Sequence, residues 1–514
     1  MVTVRSITLL LTAGVLLSGC SSLSYKQSMS TIKSSYIKGD FDNTLSVTYS
    51  KAPHDSSSTS NSALLWQLNH AAALRAAGYF DSANEAWEYA QPLFETAWEN
   101  ERLRLVRDAL GLVIPATADS TYYAKPHEGI MLYTYRALDA MQAGDMDEAR
   151  RFIIYAMHFR DEVIAENELR VEKRNATLQS GNHQGDPTDT TDLTRAALNN
   201  EFEKKEQTDD LKSLRGDSFA ASDSLLAKVE SNRIAADADF HSDLSGYKNY
   251  TNPFTAFLTY LFLRTQGTGL IQTDRNNVAR ELSDLLVFAS RNRTIQAELK
   301  NPLNAPLQNT AYIIFETGLA PHLEEVRVEI PVPSKYISYI GMAYPQLRPN
   351  HNHVPTMTVT DYCGTRLHTE LLADVDAMVK QIYDDTFPAV IARQIAQSVV
   401  NAAVNAALNL AARRATDNIK DANTRALAQL GTWITTAAIS YASTSTDIRS
   451  WELLPKQFQL ARITIPQDRK IGLSFPSGSW HNDLTLQDGE VIVVLVKSTG
   501  SMQAEPVVSQ FKLK

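Results

Sequence analysis

The sequence predicts an α+β protein: an array of α-helical hairpins, followed by a β-rich domain that carries an inserted helical hairpin. Three observations predict it. From Ala63 apolar residues recur with a helical period, in paired runs broken at Gly78 and Gly144. From Ala311 the period shortens toward two, and Val326, Val328 and Ile330 alternate with charged neighbours. Between two groups of such strands, roughly Thr369 to Tyr441, the period is helical again.

The chain starts with an address. Arg5 precedes an apolar run from Ile7 to Leu17, and Leu17-Ser18-Gly19-Cys20 follows. A basic start, an apolar stretch shorter than the ~20 residues of a membrane helix and small residues before a cut site read as a secretory signal peptide over residues 1–19. An uncleaved membrane helix is the alternative. Leu17, Ser18, Gly19 and Cys20 resemble the lipobox of bacterial lipoproteins position by position. That resemblance implies a diacylglyceryl group on the Cys20 thiol, cleavage before it, and a fatty acyl group such as palmitate on the new amino terminus. Acyl chains bury at ~0.8 kcal/mol per methylene, so more than one gives stable anchoring. In the sorting pattern that this start resembles, Asp after the cysteine retains a lipoprotein at the inner membrane. Ser21 stands there instead. The expected location is therefore the outer membrane, lipid-anchored and facing the periplasm, with surface exposure as the competing outcome.

Removing residues 1–19 from the 514 leaves 495, enough for two to four structural units. The 44% hydrophobic and 21% charged content is that of an ordinary globular protein, and no later run reaches 18 uninterrupted apolar residues. A formal charge of −9 without a basic stripe gives no footprint for nucleic acid. With Cys20 lipidated, Cys363 is left alone, so no internal disulfide forms and packing must supply stability. Cys363 reads as a buried structural cysteine, with a reactive thiol as the alternative.

Residues 20–62 read as a lipidated tether ending in the serine-rich run 56–62, with Tyr36, Phe41, Leu45 and Tyr49 hinting at local packing. The helical domain spans 63–300. Leu64, Leu65, Leu68, Ala72 and Leu74 lead to Gly78, and a second run continues through Ala83, Trp87, Ala90 and Leu93. The same grammar returns around Gly144. Gly78, Phe80, Asp81, Ala83 and Ala90 match Gly144, Met146, Asp147, Ala149 and Ala156 in offset. These positions resemble the second half of a tetratricopeptide repeat, and the two glycines lie 66 residues apart, close to twice the ~34-residue repeat. A generic helical bundle without repeat ancestry is the alternative. Residues 175–192 read as a flexible loop. Charged, helix-prone sequence follows to Ala238, and a third helical pair begins near Pro253, turns at Gly267–Gly269 and resumes at Asp274.

The β-rich domain spans 301–514. Strands are expected near 311–318, 325–333, 354–362, 458–465, 471–475, 483–486 and 491–497, with the helical insertion at 369–441. The blocks Ile313 to Pro321, Glu324 to Arg327, Thr369 to Ala377, Arg449 to Pro455 and Gln459 to Arg462 carry a wider likeness. On these, with the helical layout, the chain resembles a family of Gram-negative bacterial lipoproteins, uncharacterised in activity, with a TPR-like helical N-terminal part and a β-rich C-terminal part. The resemblance implies the fold and the lipid anchor and brings no activity.

Chemistry is sparse. His351 and His353 form an H-x-H pair with Cys363 and His368 downstream, a weak metal candidate in a Pro/Asn loop. No cofactor is implied, and metalloprotease, nucleotide-loop and nucleophile-elbow motifs are missing from the sequence. Asp374-x-Asp376 and Asp384-Asp385 read as exposed carboxylates beside a helix. Over 388–414, Gln394, Gln397, Asn401, Asn405, Asn409 and Arg413 form a polar stripe opposite small residues that allow close helix contact. A helix packed on the β-domain is the plain reading; oligomerisation through 388–414 or membrane insertion of the 388–441 hairpin are the sharper ones. The expected function is a non-catalytic, lipid-anchored envelope scaffold that binds periplasmic or outer-membrane proteins through its helical-repeat surfaces, with Trp66, Tyr79, Tyr133 and Tyr135 as contact candidates and Trp87 in the core. Membrane remodelling or pore formation by 388–441 is the rival, and an envelope hydrolase the third reading. Cys20→Ser is expected to abolish incorporation of labelled fatty acid; equal labelling of both proteins would place the lipid elsewhere.

Overall fold

The computed structural model describes residues 24–53, 61–109, 121–180, 189–205, 209–240, 252–265, 272–300, 307–332, 339–361, 364–416 and 446–514. The expected signal peptide, Cys20, Cys363, the expected turn at Gly267–Gly269 and residues 417–445 of the expected helical insertion lie outside them. In chain order the helices begin with α1 (24–38), α2 (Phe41–Lys51), α3 (Ala63–Ala76), α4 (Phe80–Ala109), α5 (Pro126–Ala143) and α6 (Met146–Ser180). Then come α7 (Thr190–Lys205), α8 (Asp209–Ser213), α9 (Arg215–Asp237), α10 (Pro253–Thr265), α11 (Gln272–Phe288) and α12 (Arg293–Lys300). The strands are β1 (Thr310–Thr317), β2 (His322–Pro331), β3 (Tyr339–Arg348), β4 (Thr358–Asp361), β5 (Arg366–His368) and β6 (Glu370–Asp374). After α13 (Val375–Thr416) follow β7 (Gln457–Thr464), β8 (Lys470–Ser474), β9 (His481–Thr485), β10 (Val491–Ser498) and β11 (Val507–Lys512). The expected α+β class holds.

The two repeat-like turns form as their glycines require. Gly78 and Gly144 have φ of +85° and +80°, the left-handed region that ends helices cheaply only at glycine. After each, an amide reaches back to close the helix end: Tyr79 N to Leu74 O at 3.0 Å and Asp145 N to Ala140 O at 2.9 Å. Ala90 and Ala156 are buried where α4 and α6 pack on their partners. The third expected pair is α10 and α11.

A five-stranded sheet, ordered β11-β10-β1-β7-β6, stands at the centre; β1 and β10 are parallel and its other pairs antiparallel. Side chains alternate across it. Ala311, Ile313, Phe315, Ile492, Val494 and Val496 pack on a four-stranded sheet, β5-β4-β8-β9. Tyr312, Ile314, Phe458, Leu460, Val491 and Val493 face the helices. There Phe254 of α10 stacks on Phe458 with ring centroids 3.9 Å apart, and Phe257 meets Tyr312 edge-on. One core thus runs from Tyr25 to Leu513, and the helical and β-rich parts share it. A second core lies between α7, α8, α9, α13 and the β2–β3 hairpin.

Three expectations need correction. Within the expected tether, 24–38 and 41–51 are helices, because Tyr25, Met29, Ile32 and Tyr36 fall on one face and are buried in the main core. Residues 175–180 continue α6 and 190–192 open α7, so the expected 175–192 loop is helical at both ends. The helical insertion does not begin at Thr369: Glu370–Asp374 are β6, paired with β7, and the helix starts at Val375. β3, β5 and β11 were not expected at all.

Gly318 tests the joint between β1 and its surroundings. Its φ is +74°, and an added Cβ would lie 2.8 Å from Asn352 O and 2.8 Å from His353 Cβ, whereas one at Gly144 meets nothing within 4 Å. Gly144→Ala therefore incurs the left-handed conformation alone, ~1–2 kcal/mol, and Gly318→Ala adds overpacking of ~1–3 kcal/mol. Thermal melts are expected to rank Gly318→Ala clearly below Gly144→Ala; equal melts would remove the crowding argument.

Candidate functional site

The helix-facing side of the central sheet carries charge at one end. Alternation along β1 sends Tyr312, Ile314 and then Glu316 toward the helices, and the parallel register sets Glu316 beside Lys497. Lys497 Nζ lies 3.0 Å from Glu316, Tyr135 Oη donates at 3.2 Å, and Arg75 Nη2 lies 3.4 Å away. Arg75 also pairs with Asp139, which accepts from Trp87 Nε1 at 3.0 Å. Arg75, Trp87, Tyr135, Asp139 and Glu316 come from α3, α4, α5 and β1, and all are buried. Burial pushes the Glu316 carboxyl up, but Lys497 and Arg75 outweigh it and hold the group below its ordinary range. Asp139 goes the other way: burial prevails over Arg75, and its pKa is pushed up to about 6.

The face of the helical pairs that was expected to receive partners is covered by the chain itself. Thirteen of fourteen residues of α3 and sixteen of eighteen of α5 are buried. Residues 446–456 lie across them. Trp451 packs on Trp87 and Tyr135, Leu453 N donates to Asn69 Oδ1 at 3.2 Å, and Lys125 Nζ donates to Arg449 O at 2.8 Å. α1 joins the same seam: Tyr25 Oη donates to Ser450 O at 3.1 Å, and Lys33 pairs with Glu452 at 2.7 Å.

The contact candidates divide accordingly. Trp66, Tyr133 and Tyr135 are interior residues, which removes them as partner contacts; Trp66 packs on Tyr25, and Tyr133 on Phe94 and Phe159. Trp87 is buried, as expected. Tyr79 is 57% exposed, at the α3–α4 turn beside Gly78. His351 is exposed, and the ring of half-buried His353 contacts the His351 carbonyl at 3.1 Å; among the described residues no three His, Cys, Asp or Glu converge on a point.

Asp374 and Asp376 are not exposed as expected but buried, at 6% and 2%. The strand-to-helix junction turns them inward, where Lys456 pairs with Asp376 and Gln457 Nε2 donates to Asp374 at 3.2 Å. Asp376 N donates to Asp374 Oδ1 at 2.9 Å, tightening the turn. Asp384 and Asp385 are only partly buried and pair with Lys380 and Gln381 on their own helix. On α13 the polar stripe at Gln394, Gln397, Asn401 and Asn405 is half-buried, while Ile391, Ile395, Val399, Val400 and Ala403 are buried against α7, α9 and β3. The described part of that helix is a packed element, and no helix among the described residues is long and apolar enough to cross a membrane.

The Asp374–Asp376–Lys456 cluster makes a pH prediction. Burial first, and then the neighbouring Asp374, push Asp376 up to about 7 against the pull of Lys456. The folded state then holds a proton that the unfolded chain releases near pH 4, so this group's contribution to stability falls as pH rises from 4 to 7. Melts of wild type and Asp376→Asn across that window are expected to show wild type losing ground to the variant with rising pH; a flat or opposite trend would contradict the assignment. Comparison of the chain with protein-family models, with curated proteins and with solved structures finds no match.

Proposed function

We propose that this chain is a non-catalytic scaffold, anchored by lipid on Cys20 to the outer membrane, facing the periplasm and binding envelope proteins, in keeping with the lipoprotein family whose blocks it resembles. The observation that carries the reading is how close the folded body starts to the lipobox. α1 is described from residue 24, four residues past Cys20, and an extended chain spans at most ~3.3–3.6 Å per residue. The body of an anchored protein would therefore sit within about 14 Å of the acylated cysteine. α1 is held in the main core by Tyr25, Met29, Ile32 and Tyr36, so the fold would ride on the lipid surface without a spacer.

Because 446–456 covers α3 and α5, partners would meet outward surfaces of the array, where Tyr79 is exposed, and not the face that repeat arrays commonly offer. Membrane remodelling fares less well over the described residues, since the apolar face of α13 is spent on the second core.

Two measurements test the proposal together. In density-fractionated envelopes the full chain is expected with outer-membrane markers and protected from protease in intact cells, while in-cell crosslinking joins it to other envelope proteins. Recovery with inner-membrane markers or digestion in intact cells would overturn the location, and crosslinks within the chain alone would overturn the scaffold.

A further inference from the structure

A pocket of about 210 Å³ opens where the two sheets part. β6 pairs with β7 from Asp374↔Gln457 as far as Glu370↔Leu460. One residue earlier the chain leaves the central sheet: Thr369 N donates to Met357 O at 2.8 Å, and Arg366–His368 pair with β4 as β5. β7 runs on, with Ala461–Thr464 still paired to β1 but flanked on the other side by no strand among the described residues. In an antiparallel ladder each residue directs both backbone groups to one side, alternately. Ile465 N bonds Asn309 O, which puts the odd-numbered β7 residues on β1 and turns the N–H and C=O of Arg462 and Thr464 into the gap. Arg293, Thr294 and Ala297 of α12 form one wall, and Leu367, His368 and Glu370 the other.

At this gap three guanidinium groups, Arg264, Arg293 and Arg462, meet two carboxylates, Glu298 and Glu370, so the charges sum to positive. Arg462 Nε lies 3.2 Å from Glu298, but that carboxylate also takes hydrogen bonds from Arg264, Tyr260 and Tyr312. The two Nη groups of Arg462 make no hydrogen bond to a described residue. Arg293 pairs with Glu370 yet leaves 69% of its side chain exposed. Pockets for drug-sized ligands run to ~300–1,000 Å³, so this one suits the end of a chain better than a whole cofactor.

We propose that this gap binds the C-terminal end of an extended peptide. The peptide adds as a short strand beside β7, exchanging hydrogen bonds with Arg462 and Thr464, and its terminal carboxylate sits on the guanidinium groups of Arg462 and Arg293. The inference needs neither Cys20 nor a location, so it stands or falls apart from the anchoring proposal.

The test offers the full chain, in detergent micelles, a library of short peptides randomised at their C-terminal residues and ending in a free carboxylate, alongside the same library ending in an amide. Enriched peptides are expected to lose about tenfold in affinity when amidated, and a similar factor against Arg462→Gln, the range of a charge-assisted hydrogen bond. Arg293→Gln, at a largely exposed position, keeps the comparison should Arg462→Gln fail to fold, and is expected to weaken binding in the same sense. Bound peptide should also slow amide exchange at Arg462 and Thr464. No enrichment, indifference to amidation and to Arg293→Gln, or binding that leaves those two amides unprotected would each overturn the proposal.

Discussion

A carboxylate enclosed between a sheet and a layer of helices must be neutralised where it sits, and Glu316 is that carboxylate. Uncompensated, a buried charge of this kind costs several kcal/mol. Lys497 from the neighbouring strand, Arg75 from α3 and the hydroxyl of Tyr135 from α5 meet it from three elements. Arg75 then needs a second anion, which Asp139 supplies, and Asp139 is held in turn by Trp87. The helical pairs and the sheet are thus joined through groups that each depend on the next. Such a network adds less to stability than an apolar core of equal volume, but it tolerates few alternative registers.

Around this joint separated blocks of the sequence come together. Ile313–Pro321 supplies Glu316 and the crowded Gly318. Thr369–Ala377 supplies the buried Asp374 and Asp376, and Arg449–Pro455 supplies Trp451, which packs on Trp87 and Tyr135. Gln459 ties two blocks, accepting from Thr369 Oγ1 at 2.6 Å and donating to Pro355 O at 2.8 Å. Those three stretches and Gln459 meet at one place in the fold, where the central sheet, α3, α5 and the start of α13 join, while Glu324–Arg327 lies in β2 beside the second core. Since 446–456 fills the face of α3 and α5, the helical array serves first as a seat for the chain's own C-terminal part. That leaves outward surfaces, and the strand gap beside β7, to meet other molecules.

The elements legible in the sequence are those whose local signal agrees with their tertiary role. Gly78 and Gly144 announced their turns because only glycine ends a helix cheaply in the left-handed region. β1, β7, β8 and β10 were legible as apolar runs of strand length. The misses have physical reasons. β6 runs straight into α13, so Leu371 and Leu372 read as the first turn of the helix. β3 contains Gly341 and Pro345, both poor strand residues. In α1 the serine-rich composition hid a helical spacing that was present at Tyr25, Met29, Ile32 and Tyr36. Of the site, Glu316 was visible only as a member of a block, since a lone acid in an apolar strand does not show which distant cation will meet it. Asp376 reads as an exposed carboxylate because its strand-to-helix junction is not legible. The aromatic candidates failed for the converse reason: a partner surface and a core both call for Trp and Tyr, and Trp66, Tyr133 and Tyr135 are core.

Joined in this way by the Glu316 network, helices and sheet are expected to open as one cooperative unit. Native-state hydrogen exchange on wild type and Glu316→Gln tests it most directly. In wild type the slowest amides of α3, α5, β1 and β10 should exchange with a single opening free energy, and Glu316→Gln should lower that shared value in all four by several kcal/mol, on the order of 3–5. Helices and strands that open at separate free energies in the wild type, or a variant whose loss is confined to β1, would show that the Glu316 network does not couple them.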